Sequence, residues 1–210
     1  MTAIEIIELA RNGELKQLSI KSDDNAILGF INLGVLELYK RFPLREAEAI
    51  ITMREGKTLY KLDGSDPDVS MEPDTELLVI SGAYVYNECD QCAVFMDINN
   101  EDDLLGINTP TYNTVEIPAP MGDYPVSIIY RVAPPFLTNV NDVVPIPPQL
   151  LEALLNYIGY RGHGSINGEL KTENQSHYLR FENSCKRVMA NGLITTDDII
   201  TKKFYDRGFV

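Results

Sequence analysis

The chain contains no tryptophan, three cysteines and two histidines in 210 residues. Without indoles, a sugar-binding face lacks its usual flat platform. An odd, sparse cysteine count offers no disulfide framework and points to synthesis in a reducing compartment. No apolar run approaches the ~20 residues needed to cross a bilayer. The N-terminus shows no basic stretch leading into an apolar one, so no secretory signal is expected. Strand and helix patterns do not alternate, which argues against a nucleotide-binding α/β fold. The most informative absence is of cations. Between Lys61 and Arg131 there is no Lys or Arg, while fourteen Asp and Glu fall in the same interval. The net charge of the whole chain is −13, so this interval accounts for essentially all of it. Such a segment repels polyanions and is unsuited to gripping DNA or acidic lipid. It is either a solvated acidic surface or one that must not stick to nucleic acid passing nearby.

Hydrophobic residues are 44% and charged residues 23%, as in ordinary globular proteins. The most legible stretch is 145–192. Pro147 and Pro148 stand where a helix tolerates a missing N–H. Leu151, Leu154, Leu155 and Ile158 follow at helical spacing, and the pattern predicts a helix over 149–160. The Gly-rich stretch 161–168 is expected to break or bend it. A second helix is expected over 172–190, with Thr172 and Gln175 at capping-box spacing. Its apolar stripe would be Tyr178, Phe181, Cys185 and Val188, and Asn191-Gly192 its left-handed stop. At the other end, Thr2 and Glu5 cap a short helix to about Arg11, with Ile4, Ile7 and Leu9 inward. A stronger helix follows, with Ile27, Phe30, Ile31, Val35, Leu38 and Phe42 on its apolar face and Pro43 as its stop.

From Leu44 the periodicity becomes two. Segments 49–53 and 58–62 flank Arg54-Glu-Gly-Lys57 and are expected to form a hairpin. Further strands are expected over 76–86, 92–98, 114–117 and 126–132, about six in all, in an antiparallel sandwich or small barrel. The expected fold class is therefore α+β. Residues 1–45 and 145–192 would form a helical core, 46–132 an inserted β domain, 133–148 a proline-rich linker, and 193–210 an extended C-terminal arm. In that arm Ile199, Phe204, Tyr205 and Phe209 are candidates for contact with a partner.

No motif carries chemistry. Cys89-Asp-Gln-Cys92 has metal-ligand spacing, but only His163, His177 and Cys185 remain as further ligands, and none forms a second pair. Residues 97–103 resemble half a calcium loop, yet Asp102 and Asn108 occupy the positions that require Gly and Glu. Gly56-Lys57-Thr58 lacks the leading glycine of a phosphate loop. Cys185 and His177 lie two turns apart on one helix with no orienting group. His163 is expected to be a loop or packing residue. No cofactor, no metal site and no enzymatic activity are expected.

Two stretches carry a resemblance. Residues 31–42, Ile-Asn-Leu-Gly-Val-Leu-Glu-Leu-Tyr-Lys-Arg-Phe, resemble the N-terminal helix of head-to-tail adaptor (connector) proteins of tailed bacteriophages, especially short-tailed, podovirus-like or crAss-like ones. Residues 128–131, the proline stretch, and 144–161 resemble that family's last strand, linker and penultimate helix. The resemblance implies a structural virion protein of the neck or tail, made in the host cytoplasm. It would form a ring, usually dodecameric, docked on the portal protein and presenting a platform to the next tail component. DNA would pass through the ring without specific binding, and no membrane would be involved. Asp97, Glu101, Asp102 and Asp103 would then be candidates to line an acidic lumen, and the aromatic arm would reach the portal or a neighbouring subunit. The alternative from another class is a β-sandwich module recognising a carbohydrate or host surface.

Overall fold

The computed structural model describes residues 1–87, 92–100, 103, 106–117, 125–166 and 171–194. The chain divides into two compact units, Met1–Pro43 with Pro134–Val210, and Leu44–Ala133.

The first unit is helical. Helix α1 (Ala3–Asn12) opens with the Thr2 N–H donating to Glu5 Oε2 at 2.9 Å. It buries Ala3, Ile6, Ile7 and Ala10. That i, i+3, i+4, i+7 stripe leaves Leu9 about a quarter-turn away and 46% exposed, so the inward Leu9 expected from sequence is corrected. Helix α2 (Asp24–Arg41) is capped by Asp23, whose carboxylate accepts the Ala26 N–H at 3.0 Å. Ile27, Leu28, Ile31, Val35 and Leu38 are buried along it, Phe42 is buried just beyond it, and Phe30 is half-buried.

A short 3₁₀ turn leads into α3 (Leu151–Ile166), and α4 (Lys171–Ala190) follows. The glycines of α3 do not break it. A Cβ on Gly162 would stand 2.4 Å from Leu15 Cδ2, and one on Gly159 2.8 Å from His177 Nδ1. On α2, a Cβ on Gly34 would stand 2.5 Å from Leu154 Cδ1. These glycines are places where another element touches a helix backbone, which is why the expected break is absent before Ile166. Helix α4 begins at Lys171, so Thr172 lies inside it rather than capping it. It ends in a Schellman turn: Leu193 N–H donates to Val188 O, Gly192 N–H to Met189 O, and Gly192 has φ +60°.

Residues 134–148 are strapped to this unit. Asn32 grips the Leu137 backbone from both sides, Nδ2 donating to its carbonyl at 3.0 Å and Oδ1 accepting its N–H at 2.9 Å. Tyr39 Oη donates to Pro145 O at 2.9 Å. The first turn of α1 is satisfied from the same segment, Ala3 N–H by Asp142 O and Ile4 N–H by Val140 O.

The second unit holds eight strands among the described residues: β1 (Glu46–Ile51), β2 (Leu59–Lys61), β3 (Val69–Met71), β4 (Leu77–Asn87), β5 (Cys92–Phe95), β6 (Asn108–Thr111), β7 (Thr114–Glu116) and β8 (Val126–Val132). They form a five-stranded sheet ordered β3-β1-β8-β4-β5 and a three-stranded sheet ordered β2-β7-β6. Every strand pair is antiparallel. One cluster drawn from both sheets, including Ile51, Tyr60, Val85, Val115, Ile128 and Tyr130, forms the core. The α+β class thus holds, with β3 and β6 added to the six strands expected.

The expected hairpin of 49–53 with 58–62 does not form. Strand β1 pairs with β3 and β8, and β2 with β7, so 52–58 passes the chain between sheets. The reason is the buried Tyr60. Its hydroxyl accepts the Arg54 N–H and donates to Lys57 O, both at 3.0 Å. The turn with Gly56 at φ +78° is therefore folded around a side chain instead of around two paired strands.

Candidate assembly surfaces

Charge divides unequally between the units. The β-rich unit has five Lys or Arg against seventeen Asp or Glu, net −12, whereas the helical unit nets −1. All five cations are paired within their own unit. Lys57 Nζ lies 2.6 Å from Asp66 and 2.8 Å from Asp68, and Arg54 Nε lies 2.6 Å from Asp68. Lys61 pairs with Asp63, Arg45 with Glu72, and Arg131 stands 4.0 Å from Glu46. The Lys61 ammonium, helped by Ser65, holds the Asp63 carboxyl down at about 2. Burial pushes Asp66 up, but bonds from Lys57 and the Asp68 and Lys61 N–H groups outweigh it and leave its pKa lowered.

The acidic loop after β5 is built on backbone. Asp97 O accepts the Ile107 N–H at 2.9 Å, beside a parallel bridge between Ile98 and the fully buried Ile107. Asn99, at φ +56°, ties the loop to Thr109 through Oδ1 and Nδ2 at 2.8 and 2.7 Å. Asp97 is exposed and Asp103 half-buried, and Glu101 and Asp102 lie outside the described residues. Among the described residues no group of three or more His, Cys, Asp or Glu is placed to hold a metal ion.

The outward face of the five-stranded sheet was not singled out by sequence reasoning. Strand register sets Ile50, Ser127, Tyr84 and Phe95 in one row, Glu48, Ile129 and Gly82 in the next, and Glu46, Arg131 and Val79 in a third. The alternation of β1, which puts Ala49 and Ile51 in the core, leaves Glu46, Glu48 and Ile50 exposed. Glu48 accepts from Tyr84 Oη at 2.6 Å, which raises the Tyr84 pKa with help from burial.

In the helical unit a shallow groove is lined by Tyr160, Gln175, Tyr178 and Leu179. In the same unit Arg41 joins α2 to α4. Its guanidinium lies 2.8 Å from Glu182 and 3.0 Å from Glu37, and sits 4.6 Å above the Phe181 ring. The Glu182 bond raises Arg41, and Arg41 in turn lowers Glu182.

The residues weighed for catalysis serve packing. His163 and His177 stack at 4.7 Å, His163 Nε2 is 3.2 Å from Glu14 O, and His177 Nδ1 is 3.2 Å from Glu14 Oε2. His163 lies in α3 rather than in a loop. Cys185 is buried, and burial pushes its thiol up to about 11, the reverse of an activated nucleophile. Cys89, the side chain of Cys92, and Ile199, Phe204, Tyr205 and Phe209 lie outside the described residues.

A family model described as SU10 adaptor protein matches residues 1–198. The chain belongs to this family. No curated protein matches it. An SU10 adaptor protein is a bacteriophage head–tail adaptor, so this chain is a structural component of a virion that joins other capsid and tail components. No described helix is long and apolar enough to cross a membrane. The adaptor match spans both units and stops short of Ile199, Phe204, Tyr205 and Phe209.

Proposed function

We propose that this adaptor assembles as a ring, dodecameric in the short-tailed type of particle, that docks on the portal and carries the genome channel toward the next tail component. The observation that carries the reading is the net −12 unit whose five cations are all neutralised by their own carboxylates. Free lysines or arginines lining a channel would hold phosphates by releasing counterions, whereas a wall of this composition lets a duplex slide. Asp97 and Asp103, with Glu101 and Asp102, are the loop residues suited to face it. Residues 193–210, with Ile199, Phe204, Tyr205 and Phe209, serve as the arm toward the portal or a neighbouring subunit.

The decisive experiment mixes the purified protein with portal rings, followed by light scattering and electron microscopy. A stoichiometric ring of adaptor density under the portal is expected. Failure to bind portal, or density with the 97–106 loop on the outer rim, overturns the docking or the channel assignment respectively.

A further inference from the structure

The sheet face described above is unusual for its position. An antiparallel sheet with one face in the core normally turns polar residues outward. Here Ile50 is 43% exposed, Val79 40% and Phe95 56%, with Tyr84 and Ile129 half-buried between them. Gly82 leaves a gap in the middle of this patch, where a Cβ would meet only Ile129, at 3.7 Å. Two exposed carboxylates, Glu46 and Glu48, border the apolar residues. Among the described residues the one cation on this face is Arg131, already beside Glu46. The patch is therefore apolar, shallow and negative, and it fits an occupant that is apolar, extended and positive.

The chain itself contains such a segment. Residues 199–209 read Ile-Ile-Thr-Lys-Lys-Phe-Tyr-Asp-Arg-Gly-Phe, three cations against one acid with three aromatic rings, in a protein of net charge −13. We propose that this segment of one copy seats on the outward face of the five-stranded sheet of a second copy. The inference rests on the ring reading above and names the partner of the arm. Lys202, Lys203 and Arg207 meet Glu46 and Glu48, while Phe204, Tyr205 and Phe209 cover Ile50, Ile129, Val79 and Phe95. Fully extended, the segment 199–209 measures about 36 Å at ~3.3 Å per residue, enough to cross five strands, about 19 Å at ~4.8 Å spacing. Because the tail and the face are different surfaces, the contact can pass from copy to copy and close a ring when the rotation permits.

The test uses full-length chains with charges reversed. One variant carries Glu46→Lys and Glu48→Lys, a second Lys202→Glu, Lys203→Glu and Arg207→Glu, and a third carries all five changes. All five sites are exposed or in the arm, and circular dichroism confirms folding. A fluorescein-labelled peptide of residues 199–209 is titrated into the second variant, whose face is intact. Binding is expected, weakening with salt, and at least tenfold weaker when Phe95→Ser or the Glu46 and Glu48 reversals are added. In sedimentation velocity the first two variants should each lose the self-association of the wild type. They should regain it when mixed, and the third should regain it alone. Peptide binding that ignores the face substitutions, or no binding, overturns the proposal. So does rescue in the third variant without rescue on mixing, which marks docking within one chain. Portal binding by the wild type is read separately, so the adaptor reading stands or falls independently of the arm's seat.

Discussion

Replacing Gly159 by alanine puts the packing of α3 to a direct test. A new Cβ would stand 2.8 Å from His177 Nδ1, 3.1 Å from its Cε1 and 3.2 Å from Glu14 Cβ, against about 3.5–4.0 Å for ordinary contact. The imidazole cannot swing aside freely, because its other side stacks on His163 at 4.7 Å and its edge meets Glu14. Glycine to alanine in a helix interior gains about 1 kcal/mol in propensity, and overpacking costs about 1–3 kcal/mol. The control is Gly29→Ala in α2, where nothing lies within 4 Å of the added methyl and only the gain remains. The two variants should therefore differ by about 1–3 kcal/mol, with Gly29→Ala the more stable. Thermal unfolding followed by ellipticity at the helix band resolves this, since each kcal/mol moves Tm by about 2–4 °C in a chain of this size. Equal upward shifts would mean that Gly159 faces open space. The account of the α3 glycines as contact points would then be wrong.

Other perturbations have expected outcomes. Arg41→Ala should cost the helical unit about 2 kcal/mol by stranding Glu182 and Glu37, and Arg41→Lys should recover less than half, measured by urea unfolding. Because Arg41 lowers Glu182, their pairing stabilises the fold above the ordinary glutamate range and fades as pH falls through the lowered value; the acid limb of stability should flatten in Arg41→Ala. Cys185, in a chain with Cys89→Ser and Cys92→Ser, should resist iodoacetamide at pH 8 and react on adding urea. Its raised pKa favours the neutral thiol, so its contribution is present below the ordinary thiol pKa and lost as pH climbs through about 11. Rapid alkylation of the native protein at pH 8 would contradict that burial. Asn32→Asp keeps the acceptor for the Leu137 N–H but sets oxygen against its carbonyl. A loss of about 1–3 kcal/mol with faster amide exchange around Leu137 is expected, and unchanged exchange would show that the strap holds without Asn32.

Much of the architecture was legible because it rests on local rules. The Thr2–Glu5 box, Gly192 and strand β8 follow from spacing and turn chemistry alone. What was misread depends on partners distant in sequence. Gly162 looks like a breaker until Leu15 is seen against it. Residues 49–62 look like a hairpin until Tyr60 is seen to take the turn's hydrogen bonds. The exposed apolar rows of the large sheet require the register of four strands, three of them far apart in the chain, so no single segment announces them. The cation-free interval was visible at once, but the pairing of every nearby Lys and Arg needed coordinates.

Strands β1 and β8 open and close the β-rich unit, and they lie side by side. Glu46 is opposite Arg131, and the Val132 N–H donates to Arg45 O. The excursion therefore leaves and rejoins the helices through a zipped stem, whose two backbones run only about 5 Å apart. Whatever is grafted above that stem, longer or shorter, demands nothing new of Pro43 or Pro134.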